Sequence, residues 1–356
     1  MKRIIFLLSL ILGLFLFVGA IQQAGIESVI QTIKIFPLPA ILAVFLINFV
    51  AIFVFGTLRW KIIIEAQNSH KISFGKLLRA KLAGFAVSYI TPSVLVGGEP
   101  VRAYMIKEES GYSWEKSFAS VIIDQAIYFF SLFLFMIFGF LFLVHYFSLP
   151  VSVFYGFGFM IASAFFIFYL FYSRLIKDNS DGHGFFIFII KTTRLDKIKF
   201  IGRKEENIER MEKIIAQFFN NKTATFIRAF ILAFAEILLY LITVWIIILS
   251  LGKAIDLTYS AAIFFIFTLA NLIPIPGSLG SFEASLTFIF NLLNLGKSNG
   301  FAFSLIFRLI NITLVLLGFL SLIYFSIKTF SSNFSIETPR QLLKIHKFMS
   351  KVFNKK

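Results

Sequence analysis

The chain has 356 residues, of which 58% are hydrophobic, and a mean hydropathy of +0.88. Charged residues make up only 15%, against about 25% in soluble domains, and this excludes an ordinary soluble globular fold. The net charge of +16 would point to nucleic acid in a soluble protein. Here the Lys and Arg residues fall between apolar runs, where they set orientation and meet anionic lipid headgroups, so membrane lipids are the expected partner and nucleic acid is not.

The expected fold is all-α: a polytopic helical integral membrane protein. Several apolar runs reach the roughly 20 residues that cross a hydrocarbon core. There is no cysteine, which excludes disulfides and thiolate chemistry. His70, His145, His183 and His346 are far apart and match no metal-ligand spacing, so neither a metal nor a cofactor is expected.

In chain order, Lys2-Arg3 precede an apolar run over residues 4–21. That run exceeds the roughly 7–15 residues of a signal-peptide core and reads as a first span. A second span covers residues 39–58 and stops at Arg59-Trp60-Lys61, which reads as a basic and aromatic interface anchor. The loop after it is basic and is expected in the cytoplasm. Residues 77–106 form an apolar segment broken at Thr91-Pro92 and Gly97-Gly98, with arms too short for full crossings. A basic stretch follows, so this hairpin is expected to enter and leave on the cytoplasmic side.

Residues 118–147 form a span that contains Asp124, and another span ends near Tyr172. The region 173–228 is a basic cytoplasmic loop. Within it, residues 205–219 read as an amphipathic helix on the inner membrane surface, with Ile208, Met211, Ile215 and Phe218 on one face. Residues 229–251 form a span carrying Glu236. Residues 261–290 are a second broken segment, interrupted at Pro274, Pro276, Gly277 and Gly280. Residues 301–325 form the last span, with Arg308 and Asn311, and a basic cytoplasmic tail covers 327–356. Residues 1–326 thus read as one transmembrane domain with six full crossings, two broken hairpins and both termini inside the cell, in the cell membrane.

Two short stretches match each other: Pro92-Ser-Val-Leu-Val-Gly-Gly-Glu99 and Pro276-Gly-Ser-Leu-Gly-Ser-Phe-Glu283. Each runs from Pro through Gly to Glu at the same offset, inside an apolar region. Paired interruptions entering from opposite sides are the pattern of an inverted repeat around a midplane site. In that scheme the second span, first hairpin and Asp124 span correspond to the Glu236 span, second hairpin and last span.

Ionisable groups deep in apolar segments cost at least about 2.5 kcal/mol each, which makes them functional candidates. They are Glu99, Arg102, Asp124, Glu236, Glu283 and Arg308. A restarted helix presents unpaired N–H groups, and Gly97, Gly98, Gly277 and Gly280 beside Pro276 let a phosphate approach them or act as hinges. Arg102, and Arg308 from the other half, have the forked geometry that grips a phosphate. The acids offer proton carriers or counter-charges; the alternative is a set of buried ion pairs that fixes helix packing. No Gly-x-Ser-x-Gly, His-Glu-x-x-His or Walker loop is present, so no enzyme activity is expected.

Thr91-Pro92, Gly97-Gly98-Glu99-Pro100-Val101-Arg102, Lys107 and the Asp124 span resemble the first signature of the lysylphosphatidylglycerol synthase transmembrane family. Residues 273–283, followed by Arg308, are similar to its second signature. The resemblance spans nearly the whole chain, residues 4–325. It implies an integral membrane protein of the type that flips aminoacylated phosphatidylglycerol in enzymes fused to a soluble acyltransferase-like domain. Only residues 327–356 follow the last span, so lipid aminoacylation is not expected here. One departure stands out: the family often has an acid followed by Arg where this chain has Asp124-Gln125.

The leading expectation is a flippase for a phospholipid, of phosphatidylglycerol or aminoacylated type, or for a polyprenyl-phosphate-linked lipid. The alternatives are a polyprenyl-phosphate glycosyltransferase and a non-transporting accessory subunit. The first lacks the acidic outer loop it needs, since residues 22–38 offer only Glu27. A lipid- or glycan-synthesis enzyme is the candidate protein partner, and the sequence leaves the oligomeric state open.

Overall fold

The computed structural model describes residues 2–67, 71–91, 97–146, 151–177, 184–194, 205–253 and 255–353, with side chains placed over most of these. All regular structure among them is helical. Five of the described helices are long and apolar enough to cross a membrane, or six if a bent pair near the N-terminus counts as one span.

The chain opens with α1 (Lys2–Ala24), which Gly25 breaks from α2 (Ile26–Lys34) at a bend of 79°. Helix α3 covers Leu38–Gln67, with Pro39 in its first turn, where the missing N–H costs nothing. A π-helical stretch, Val50–Phe55, interrupts it just before Gly56. The first hairpin is α4 (Phe74–Ile90) and α5 (Glu99–Ser110). Helix α4 ends at the residue before Thr91-Pro92, as proline disfavours helical backbone in the residue preceding it. Residues 92–96, most of the first matched motif, lie outside the described residues.

Helix α6 (Trp114–Tyr146) and α7 (Val151–Phe171) are the next spans. A short helix α8 (Phe185–Thr192) and the amphipathic α9 (Glu205–Asn221) precede α10 (Thr223–Ser250). The second hairpin is α11 (Leu257–Leu272), a tight turn at Pro276–Ser278, and α12 (Ser281–Leu292). The last helix, α13 (Lys297–Phe353), runs well past the apolar span into the tail.

Each half lends its hairpin to the other. Arm α4 packs along α13, and arm α11 packs along α6. In both contacts a glycine on the long helix permits close approach. A Cβ on Gly318 would stand 2.3 Å from the Leu82 carbonyl oxygen, and one on Gly139 would stand 2.7 Å from that of Ala261. Close backbone approach through small residues is how helices gain packing energy where lipid removes the hydrophobic drive. The exchange follows the expected correspondence of α4 with α11 and of α6 with α13.

The hairpins come in from opposite ends. Lys76 donates to the Glu109 carbonyl at 2.8 Å, Lys328 pairs with Glu109 at 3.3 Å, and Arg210 lies 4.0 Å from Glu115. The outer ends of the first hairpin, helix α9 and the exit of α13 therefore share one end of the molecule. At the other end, Tyr259 packs edge-on against Phe142 at 5.7 Å, and Trp245 donates to the Ile255 carbonyl at 2.9 Å.

Helix α9 differs from its expected placement. Its apolar face is not left to the lipid surface: Met211, Ile215 and Phe218 are buried in a cluster with Ile63, Ile123 and Leu175. On the same helix Glu212 accepts the backbone N–H groups of Phe186 (2.5 Å) and Ile187 (3.4 Å), capping α8. Burial pushes the Glu212 carboxyl above its usual range, and these two N–H donors offset part of that.

Candidate functional site

The two helix breaks are built alike. At the first, Glu99 Oε2 accepts the Gly97 N–H at 2.6 Å, and the Gly98 N–H donates to Ser88 Oγ at 2.8 Å. Gly98 lies against Gly84 on the facing arm so closely that a Cβ would be 1.9 Å from the Gly84 carbonyl oxygen. At the second, Glu283 Oε2 accepts the Gly280 N–H at 2.6 Å. Gly280 has φ +79°, and a Cβ there would meet the Gly13 carbonyl of α1 at 1.8 Å. In each break the motif glutamate satisfies a backbone donor that hydrocarbon could not.

Arg308 is directed at the second break. Its Nε donates to Glu283 Oε1 at 2.6 Å, and its Nη1 donates to the Gly277 carbonyl at 3.0 Å. It also reaches across to the first hairpin, donating from Nη1 to Tyr89 Oη at 3.4 Å. A Cβ on Gly277 would be 3.4 Å from the Tyr89 ring, so the two breaks meet.

Beside them lies a buried charge cluster. Asp124 is fully buried; its Oδ1 accepts Arg59 Nε at 2.7 Å, and its Oδ2 accepts Arg102 Nη2 at 2.6 Å. Lys81 Nζ stands 3.6 Å from the same Oδ2. Arg59 continues through Nη1 to Glu236 Oε2. The Arg102 guanidinium lies 4.3 Å from the Trp60 ring centroid, and the Trp60 indole N–H donates to Ser120 at 3.1 Å. Four helices of the first half and α10 of the second are thereby tied by charge-assisted bonds in a low-dielectric setting.

Arg59 and Trp60 correct the sequence expectation. They are 2% and 0% exposed, so they are no interface anchor. The helix does not stop at Leu58 but runs on to Gln67, carrying both residues inward. The signal was present in Ile62-Ile63-Ile64, which continue the apolar pattern beyond Lys61. Lys81, not among the charges singled out from the sequence, sits in α4 on the same face as Leu77, Ala80, Gly84 and Ser88. Gly56 leaves room for it, since a Cβ there would overlap the Lys81 ammonium at 2.2 Å.

A chamber of about 160 Å³ lies between the halves. Arg59, Lys81, Glu99, Arg102, Glu236 and Arg308 line it, together with Gly277 from the second break. Asp124 and Glu283 have no exposed surface and stand behind the cations. The lining therefore presents four cations against two carboxylates. Arg102 Nε is buried with no hydrogen-bond partner among the described residues. The remaining candidates, Pro276 and Gly280, are not among the lining residues: Pro276 opens the turn at 276–278, and Gly280 caps α12 against Gly13 of α1. Among the described residues, no cluster of three or more His, Cys, Asp or Glu side chains has the arrangement of a metal site.

The model of the lysylphosphatidylglycerol synthase TM region matches residues 4–318. The chain belongs to that family. Among its relatives is a UPF0104 membrane protein of Methanothermobacter thermautotrophicus, 28% identical over 274 residues, 73% of this chain and 77% of the relative. A UPF0104 membrane protein of Methanocaldococcus jannaschii is 26% identical over 322 residues, covering 87% of this chain and 92% of its own length. No solved structure matches. Family membership and the apolar helices together make this a multi-pass membrane protein of the lysylphosphatidylglycerol synthase TM type.

Proposed function

We propose that the protein is a flippase that moves a lipid with an anionic phosphate headgroup between leaflets, either a phospholipid or a polyprenyl-phosphate-linked lipid. The observation that carries this reading is the chamber where two oppositely entering helix breaks meet, faced by Arg59, Lys81, Arg102 and Arg308. A volume of about 160 Å³ is close to that of a cavity that admits a benzene-sized molecule. It suits a headgroup and leaves the hydrocarbon chains in the bilayer.

In this reading Arg102 and Lys81 receive the phosphate, partly releasing Asp124, which Arg59 continues to hold. Movement of one half against the other about the hairpins then changes the leaflet to which the chamber opens. The basic end, with α9 and the exit of α13, faces the cytoplasm of a cell membrane by the excess of Lys and Arg there. No catalytic step is assigned.

The test is scrambling of fluorescent phosphatidylglycerol in proteoliposomes, with wild type beside Arg102→Ala and Glu99→Gln. Activity in wild type, lost in both variants while each elutes as folded protein, is the expected result. Equal rates in all three, or no movement of any anionic lipid, overturns the proposal.

A further inference from the structure

The chamber has two chemically different walls. The cationic wall comes from α3, α4 and α5, with Arg59, Lys81 and Arg102. The second half contributes Glu236 and Tyr240 from α10, Thr268 and Asn271 from α11, and Arg308 and Asn311 from α13. Tyr89 stands between the two, holding Arg308 through its hydroxyl.

Two amides stand on this second side. Asn311 Nδ2 donates to the Phe307 carbonyl at 3.1 Å, and Asn271 Nδ2 donates to that of Phe267 at 3.0 Å. A side-chain amide bonded back to its own helix through one N–H still offers its second N–H and its oxygen. Asn271 Oδ1 accepts from the Ser278 hydroxyl at 2.9 Å, and Asn311 lines the chamber. An amide beside tyrosine and threonine hydroxyls suits a ligand hydroxyl, since both partners can donate and accept.

The carboxylates are already engaged. Asp124 holds two arginines and faces Lys81, Glu236 holds Arg59, Glu283 holds Arg308, and Glu99 holds the Gly97 N–H. A ligand ammonium would enter a lining of four cations, with two of the four acids screened behind them. A phosphodiester would instead meet Lys81 and Arg102, both within reach of the same Asp124 oxygen.

Resting on the flippase reading, we infer that the chamber selects a hydroxylated phosphodiester monoanion, a glycerol- or sugar-phosphate headgroup, and rejects headgroups carrying an ammonium. The phosphate sits against Lys81 and Arg102. The hydroxyls lie against Asn311 and the tyrosines. Aminoacylated lipids are therefore not the cargo.

Trp60, stacked on Arg102, supplies the readout through its fluorescence. The purified full chain is titrated with dihexanoyl phosphatidylglycerol, its lysyl ester and deacylated glycerophosphoglycerol. Phosphatidylglycerol is expected to bind at least about tenfold more tightly than the lysyl ester. Asn311→Leu, similar in size, should weaken phosphatidylglycerol about fivefold, the equivalent of one neutral hydrogen bond, and leave inorganic phosphate unaffected. Equal or tighter binding of the lysyl ester overturns the inference. So does an Asn311→Leu loss that is the same for every probe, or no binding of any probe.

The two readings fail separately. If glycerophosphoglycerol binds as well as the lipid and vesicles show no transbilayer movement, the headgroup class stands and the flippase reading falls. If phosphatidylglycerol and its lysyl ester cross vesicles at equal rates, lipid movement stands and the headgroup class falls.

Discussion

Replacing Arg59 with methionine removes the group that joins the halves electrostatically. In the wild type Arg59 is 2% exposed and donates to Asp124 at 2.7 Å and also to Glu236. The substitution affects the two acids unequally. Asp124 keeps Arg102 at 2.6 Å and Lys81 at 3.6 Å, whereas no other salt bridge to Glu236 is found among the described residues. Two charge-assisted hydrogen bonds, each about 1.5–3 kcal/mol, are lost, and one carboxylate stays buried without its cation. Breaking a buried pair from one side costs about 3–5 kcal/mol, so the two estimates agree. Unfolding in mixed detergent micelles, followed by tryptophan fluorescence, should show a loss of that size. Adding Glu236→Gln to Arg59→Met removes the orphaned charge and should restore about half of it. Arg59→Met within about 0.5 kcal/mol of wild type, the ordinary range for a surface change, would falsify the account of Arg59 as the bridge.

Gly98→Ala and Gly280→Ala should each destabilise the protein by about 1–3 kcal/mol through overpacking against backbone, because their Cβ atoms would fall 1.9 and 1.8 Å from carbonyl oxygens. Gly158→Ala, with open space around it, should stay within about 0.5 kcal/mol of wild type; thermal unfolding of the three side by side makes the comparison. Single cysteines in place of Lys116 and Lys297, in this cysteine-free chain, should label from opposite sides of the membrane, and labelling from one side would refute the opposed hairpins. Glu212, whose folded carboxyl titrates above its unfolded range, favours the folded α8–α9 contact most when protonated, so its contribution falls as pH rises through that folded pKa. Limited proteolysis across that pH window should show the α8 segment opening as pH rises in wild type, with the trend flattened in Glu212→Gln.

The all-α class, the spans and the two breaks were legible in the amino-acid sequence because each follows from local chemistry. Apolar length decides a span, Pro and Gly decide a break, and a glutamate beside the break marks a backbone donor to be satisfied. Six of the buried charges stood out for the same reason, since any charge in an apolar run is costly wherever it ends up. Partnership was not legible. Asp124 meets Arg59 from 65 residues away, and Arg59 meets Glu236 from 177 away, distances over which local pattern carries no information. Arg59 looked like an interface anchor because a basic residue after an apolar run usually is one. Only the onward course of α3, and the packing of α4 and α10 against it, turned it inward. The same holds for Lys81, which Gly56 accommodates across a helix interface that only the folded chain creates. Which charges face the chamber and which stand behind it was likewise settled by packing, and that arrangement gives the site its sign.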